Sequence, residues 1–336
     1  MQNRPPPLVS VIVPTFNRED GIRRTLDGLS RQQLRNGSFE TIVVSDGSTD
    51  GTNEYLTSES TPLPIVAIVQ ENSGPAAARN RGIEAARGEL VVFLDDDVLP
   101  AVGLLQAHVD AHERADGRLV TIGPMLNPTD VELGRLVAWE QRMLYKQYDA
   151  MTSGELETSS RQFYTGNAAI ARQHLVELGG FDESLRRAED VELAYRLDDH
   201  GLNFEFLTEA ISYHYASRSY RSWRANAYLY GRNDVLFGRD RDQDWMLPLI
   251  GHQFRSRHRL VRILTPIIVP RPALHRPFEK LGRGVSSFAG RLGLERVEQA
   301  ILSVVYNLAY YEGVCDEVGG AAELAALLDE RSDWVT

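Results

Sequence analysis

The sequence predicts a doubly wound α/β domain followed by a mainly helical C-terminal region. Three observations carry that expectation. Short β-branched runs alternate with stretches of helical spacing through the first hundred residues, as a chain of βαβ units requires. The fourth of these runs, "ELVVFLD" (Glu89–Asp95), is apolar at nearly every position, the mark of a strand covered on both faces in a parallel sheet. Beyond about Arg241 the pattern becomes helical, with proline breaks.

The elements follow in order. "LVSVIVP" (Leu8–Pro14) is a β-branched strand closed by proline. "REDGIRRTLDGLSRQ" places Ile22, Leu26 and Leu29 at helical spacing. "FETIVVSD" (Phe39–Asp46) is a second strand, "TNEYLTS" a short helix and "PIVAIVQ" (Pro64–Gln70) a third strand. "PAAARNRGIEAAR" (Pro75–Arg87) is a helix whose proline lies where a first turn accepts it. After Pro100 come an amphipathic helix, "GLLQAHVDAHERA", and a strand, "GRLVTIGPML". "FYTGNAAIARQHLVELGGFDE" reads as strand, helix and Gly-Gly turn, and "AEDVELAYRLDDHG" as a helix. "LNFEFLTEAISYHYA" is a strand pair or a bent strand ending near His214.

Composition bounds the function. With 336 residues, 43% of them hydrophobic and 25% charged, the chain can bury a sizeable core. A formal net charge of −11 argues against general nucleic-acid binding. The single cysteine, Cys315, allows no internal disulfide and fits a reducing compartment. The N-terminus lacks the apolar segment of a signal peptide, and no window approaches the ~18 apolar residues of a spanning helix. The expectation is therefore a cytoplasmic protein. Between His252 and Arg291 stand nine Lys or Arg residues and one acid, Glu279. Such a basic island suits a peripheral contact with the inner face of an anionic membrane, a phosphorylated acceptor, or simply solvent.

Ligands of doubly wound sheets bind beyond the carboxyl ends of the strands. Thr15, Phe16 and Asn17 follow the first strand, Asp46 ends the second, and Asp95, Asp96 and Asp97 end the fourth. Strand alternation would put Asp95 and Asp97 on one side and Asp96 on the other. Two converging carboxylates repel unless a cation lies between them, and Mg²⁺ or Mn²⁺ takes such oxygen ligands. A solvated acidic turn is the plainer alternative. Asp46 either terminates its strand in an Asx-type turn or accepts from a base or ribose. Gly74 and Pro75 open a helix carrying Arg79, where an anion is favoured. Glu189 and Asp190 complement a helix dipole, or one of them serves as a general base. His214 is either a structural histidine or a third metal ligand.

These residues, in this order, resemble glycosyltransferase family 2 on the GT-A fold. The matching pieces are "VSVIVPTFNR", "VVSDGSTDGT", "ENSGPAAARNRG", "FLDDDVLP", "GGFDE" and "EDVELAYRL", spread over Leu8 to Tyr215. The resemblance implies a mixed, mostly parallel sheet and an enzyme that transfers a sugar from a nucleotide-sugar donor, with inversion, using Mg²⁺ or Mn²⁺. It implies a catalytic domain over 1–240, with the donor side mainly 8–100 and the acceptor side mainly 101–215, and a helical appendage over 241–336. Carried over, Pro14, Thr15, Asn17, Asp46, Arg79, Asp95 and Asp96 form the donor-binding set, with Asp46 at the base. Asp97, Asp95 and His214 form the metal set. Asp190 is the catalytic base and Glu189 the weaker choice. Apart from the resemblance, Gly166, Asn167, Arg218 and Arg221 are candidate contacts to the acceptor or the diphosphate, the arginines because they closely follow His214, with a solvated basic loop as their plainer alternative. UDP is the expected nucleotide, with dTDP and GDP open, and the acceptor is a glycan, a lipid-linked or a small-molecule hydroxyl. Processive members carry a Q-x-x-R-W element and membrane helices. Here "YRSWR" (Tyr220–Arg224) stands without either, which favours transfer of single residues. The competing readings are a nucleotidyltransferase, disfavoured because "PTFNRED" replaces a Gly-rich basic loop, and a non-catalytic nucleotide-sugar-binding subunit, disfavoured by the intact acids.

Overall fold

The computed structural model of the chain describes residues 5–185, 187–241 and 243–329. These fold into two compact units: Met1–Glu132 with Gln141–Ala216, and Leu133–Glu140 with Ser217–Thr336.

The first unit is built on a seven-stranded mixed sheet. In chain order its strands and those of a small companion sheet are β1 (Val9–Thr15), β2 (Phe39–Asp46), β3 (Val66–Gln70), β4 (Leu90–Leu94), β5 (Val98–Pro100), β6 (Leu119–Ile122), β7 (Met125–Leu126), β8 (Asn167–Ala171), β9 (Asn203–Phe206) and β10 (Ser212–His214). The large sheet runs β3-β2-β1-β4-β8-β6-β9 and the small one β5-β10-β7. Strands β3, β2, β1 and β4 are parallel, while β8 runs against both β4 and β6. After β3 the chain returns past β1 to form β4, so the order reverses between β1 and β4. Their carboxyl ends form the switch-point crevice where such sheets bind ligands.

Side chains of β1 and β4 alternate between two cores, as period 2 demands. Val9, Val11, Val13, Leu90, Val92 and Leu94 face one, with Ile22, Leu26 and Leu29 of helix Glu19–Ser30. Ile12, Val91 and Phe93 face the other, with Ala76, Ala78 and Ile83 of helix Pro75–Ala85 and Leu193, Ala194 and Leu197 of helix Glu189–Asp199. The near-continuous apolar runs thus follow from burial on both faces.

The expected elements of this half are present, and "GRLVTIGPML" divides into β6 and β7, which join different sheets. Helix Arg135–Ser153 occupies a stretch where the sequence pattern gave no element. The helical region begins earlier than expected. Helix Tyr220–Asp240 belongs to the second unit, so the compact units part at Ala216 and Ser217 instead of at residue 240. The physical reason is close helix packing. A side chain at Gly231 would meet the Tyr310 carbonyl oxygen at 2.0 Å, and one at Gly313 would meet the Tyr228 carbonyl oxygen at 1.9 Å. Two glycines on facing helices therefore let helix Glu295–Val318 lie directly on helix Tyr220–Asp240. Two of the prolines expected to break this region, Pro266 and Pro277, lie inside helices. No helix among the described residues is long and apolar enough to cross a membrane.

Candidate active site

The acids after β4 do not continue the strand. β4 stops at Leu94, and the Val98 amide donates to the Asp95 carbonyl oxygen at 3.2 Å, closing a turn. Strand alternation therefore does not govern Asp95–Asp97, and each carboxylate turns to its own partner. This corrects the expectation that Asp95 and Asp97 share one side. Asp95 accepts from Arg79 at 3.0 Å. Asp96 accepts from the Thr15 hydroxyl at 2.8 Å, bridging the ends of β1 and β4. Asp97 accepts from Arg18 at 2.6 Å and lies 3.4 Å from His214 Nε2.

Strand β10 brings His214 there. It pairs antiparallel to β5 with His214 opposite Val98, and the Tyr215 amide donates to the Asp97 carbonyl oxygen at 2.8 Å. The expected juxtaposition of Asp97 and His214 is thus present. Burial works to raise the Asp97 pKa, but His214 and Arg18 outweigh it and hold the carboxyl down at about 2. Asp96 goes the other way. Burial lifts it to about 7, with Arg18 opposing and Asp97 reinforcing the rise.

Arg79 joins two acid groups. Arg79 is 6% exposed, and its guanidinium donates to Asp95 at 3.0 Å and to Glu189 at 2.8 Å. Its Nε is buried without a hydrogen-bond partner among the described residues. Ala188, immediately before Glu189, adopts φ 60°, a left-handed conformation that costs a non-glycine residue roughly 1–2 kcal/mol. That turn starts helix Glu189–Asp199 with Glu189 on Arg79 and Asp190 beside it in sequence. Asp190 is half-buried and accepts from the Val191 amide at 2.9 Å. Burial, then the charge of Glu189, push its pKa up to about 7 against the pull of Arg79.

Asp46 is 5% exposed, and its carboxylate accepts from Gln70 at 2.8 Å, the Ser73 amide at 2.8 Å and the Gly74 amide at 2.9 Å. It therefore organises the approach to helix Pro75–Ala85, and of roughly four lone-pair positions on a carboxylate about one remains. Asn17, at φ 52°, accepts on its side-chain oxygen from the Thr49 and Asp50 amides, so it ties the loop after β1 to the loop after β2. Pro14 lies within β1, paired with Val44. A side chain at Gly166 would come within 3.2 Å of Asp95, which makes this glycine the floor beside that carboxylate.

Asn167 does not face the site. It is 0% exposed, and its amide donates to the Ala210 carbonyl at 2.7 Å while its oxygen meets His108 Nε2 at 3.0 Å. Its role is to lock β8 to its neighbours. Arg218 and Arg221 belong to the other compact unit, where Arg218 donates to Glu140 at 3.1 Å and Arg221 is exposed.

Two residues escaped the sequence reading. Arg18 pairs with Asp97, and Arg24 stacks 4.0 Å from the Tyr215 ring centre. Both line a cavity of about 440 Å³ with Asn17, Asp50, Asp97 and Tyr215. The signal for Arg18 was its place directly after Asn17 at the end of β1. Arg24 lies six residues further on, inside helix Glu19–Ser30, where no local signal marked it.

Comparison with known proteins bears on the family and the fold. A solved mannosyltransferase of Pyrobaculum calidifontis, in complex with GDP-Man and Mn²⁺, superposes with a TM-score of 0.62 at 21% identity, covering 91% of this chain and 87% of that one. The Staphylococcus aureus TarS 1–349 structure in complex with UDP gives a TM-score of 0.53 at 18% identity, over 90% of this chain and 89% of that one. Among curated sequences, validoxylamine A glucosyltransferase of Streptomyces hygroscopicus subsp. limoneus is 32% identical over 221 residues, covering 58% of this chain and 49% of that protein. The chain thus spans about half the length of that relative. The sequence profile of glycosyl transferase family 2 matches residues 10–178, half of the chain. The chain belongs to glycosyl transferase family 2 and has the GT-A fold.

Proposed function

We propose that the chain is an inverting, metal-dependent enzyme that moves a single sugar from a UDP-sugar to a hydroxyl of a glycan, lipid-linked or small-molecule acceptor. The observation that carries this reading is the Arg79 bridge, in which one buried guanidinium connects Asp95 of the acid turn to Glu189, next to Asp190. It joins a donor-side carboxylate to the residue that precedes Asp190, a half-buried acid whose pKa is raised. The nucleotides held by the two solved relatives, GDP-Man in one and UDP in the other, support a nucleotide-bound donor.

The residues present fit a divalent cation. Asp97 offers an ionised oxygen and His214 an imidazole nitrogen 3.4 Å away, and a guanidinium already balances the charge there. Mn²⁺ accepts both ligand types, with Mg²⁺ the harder alternative. Bound by Asp97 and His214, such an ion would neutralise the diphosphate as it leaves. Arg18 and Arg24 line the same cavity as Asp97 and would supply positive charge to the diphosphate. Asp46 uses its remaining lone pair for the base, and Thr15 and Asp96 mark the nucleoside edge. Asp190 takes the acceptor proton, because a base titrating near neutrality is suited to that transfer.

The second unit supports an acceptor at a lipid surface. Leu260, Ile263 and Ile267 are each about half exposed on helix Arg259–Ile268, and Leu281, Val285 and Phe288 are exposed on helix Pro272–Arg291. Exposed Arg262, Arg276, Lys280 and Arg283 are interspersed with them. An apolar stripe edged by cations suits the interface of an anionic membrane, at ~1 kcal/mol per basic residue near the surface. Phe288→Glu should abolish co-sedimentation with phosphatidylserine vesicles. Unchanged sedimentation would remove this part of the reading.

For the donor, thermal shift against UDP, GDP and dTDP with and without Mn²⁺, followed by nucleotide-sugar hydrolysis, tests the proposal. Stabilisation by one nucleotide that needs Mn²⁺ and disappears in Asp97→Ala is expected. If Asp97→Ala binds nucleotide and Mn²⁺ like the parent, the metal assignment is wrong.

A further inference from the structure

We propose a second metal site, for an ion of the zinc class, built from His174, Glu177 and His200 at the edge of the sheet opposite the acid turn. The strand register separates the two places. β8 runs against β4 with Asn167 beside Leu94 and Ala171 beside Leu90. Residues after Ala171 therefore emerge where β4 begins, at the other end from Asp95.

Helix Arg172–Glu177 carries His174 and Glu177 three residues apart, on one face. His200 caps the far end of helix Glu189–Asp199. The three ligand atoms all lie within 4.8 Å of one another. Glu177 Oε2 is 3.3 Å from His174 Nδ1 and 3.3 Å from His200 Nε2. Ligands bound at 2.0–2.2 Å on a tetrahedral ion are separated by roughly 3.3–3.6 Å. The two measured edges already match that spacing.

A further observation points to an ion instead of a simple ion pair. His174 is 4% exposed, and its Nε2 lies 2.9 Å from the Gly117 carbonyl oxygen. A carbonyl can only accept, so Nε2 carries the hydrogen and Nδ1 presents a bare lone pair. The Gln173 amide approaches the same Nε2 at a longer 3.4 Å and can turn its oxygen toward it. The Nδ1 atom is buried and has no hydrogen-bond partner among the described residues. A backbone carbonyl that fixes one ring nitrogen while the other faces a carboxylate and a second imidazole is the usual support of a metal-bound histidine.

The donor set selects the ion. Two imidazoles and one carboxylate suit Zn²⁺, Co²⁺ or Ni²⁺ better than Mg²⁺ or Ca²⁺, and three protein ligands leave a fourth position for water. Bound there, the ion ties helix Arg172–Glu177 to the end of the helix that starts with Glu189 and Asp190.

The test uses full-length protein carrying Asp97→Ala, so that the acid turn does not contribute metal binding. After chelation it is titrated with Co²⁺ and then with Zn²⁺. One Co²⁺ per chain with four-coordinate visible absorption, displaced by Zn²⁺, and a Zn²⁺-dependent rise in Tm are expected. On the same background, Glu177→Gln and His200→Ala change side chains that are 54% and 38% exposed, so the fold is retained. Each should weaken binding by at least about tenfold and remove the Tm rise. Absence of stoichiometric Co²⁺ or Zn²⁺ binding would overturn the site, as would binding unaltered by either substitution.

Discussion

The acid turn Asp95–Asp97 and the helix start Glu189–Asp190 are both runs of neighbouring carboxylates beside one buried arginine, yet they treat their protons in opposite ways. Asp97 has two cationic partners of its own, Arg18 and His214, and is held at about 2 despite burial. Asp190 shares Arg79 with Glu189 and Asp95, and burial lifts it to about 7. Burial is the largest influence on both. What differs is whether a cation is close enough to outweigh it. A carboxylate ionised at every working pH is suited to bind a cation, and one that titrates near neutrality is suited to accept a proton.

Replacing Asp190 tests the sharper half of that contrast and carries the largest expected effect. Asp190→Asn should lower sugar transfer by roughly 10²–10⁴-fold, the range of a lost general base, while nucleotide binding stays intact. In the parent, the transfer rate should climb with pH and level off above about 7, because the base must be ionised. Stability should move the other way. Folding raises this acid from its ordinary 3.8 to about 7, so its stabilising contribution is complete below 3.8 and is lost as pH rises through about 7. The Asn variant should therefore melt higher than the parent above that window, with no difference at pH 3.5. Full activity in Asp190→Asn would end the comparison.

Arg79 is the element the two regions share, and its loss should register as stability. Arg79→Met fills the space but leaves Asp95 and Glu189 facing each other without their buried cation. Breaking a buried pair from one side costs roughly 3–5 kcal/mol, partly relieved here because the Asp95 side chain is 36% exposed. Urea unfolding should show a clear loss, and adding Glu189→Gln should recover part of it. A loss below about 1 kcal/mol would mean that the bridge does not hold the two regions together.

Much of this arrangement was legible in the sequence. The runs ending at Pro14, Asp46 and Asp95 gave the parallel strands, and the strand-end rule gathered Thr15, Asp46 and the acid turn at one edge. What was not legible depended on contacts between distant residues. The separate partners of Asp95 and Asp97 arise because the strand stops one residue before the acids, and alternation carries no information past that point. Asn167 was expected to face the acceptor or the diphosphate, yet its amide bonds Ala210 and its oxygen meets His108, neither of which its own segment reveals. Arg18 and Arg24 read as ordinary surface cations of a helix start, and only the fold brings Asp97 from the turn after β4, and His214 and Tyr215 from the end of β10, to this place. The boundary of the second unit was displaced because Gly231 and Gly313 signal helix contact only when seen facing each other.

The smallest effect should come from the middle acid of the turn. Asp96 accepts from the Thr15 hydroxyl and lies 3.7 Å from Arg18, and its pKa of about 7 leaves it partly protonated at neutrality. Asn offers the same accepting oxygen without the charge. Asp96→Asn should therefore change transfer by less than about threefold, an energy below roughly 0.7 kcal/mol, and should leave the Mn²⁺ requirement unaltered. Substituting Asp97 by Asn, one residue later, should abolish that requirement together with metal-dependent nucleotide binding. If the two variants fell equally, the turn would act as one pooled charge, and the separate partners of its three acids would have no bearing on catalysis. A difference of tenfold or more between them would show that the turn divides its work residue by residue, as the bonds from Thr15 and Arg18 already divide its carboxylates.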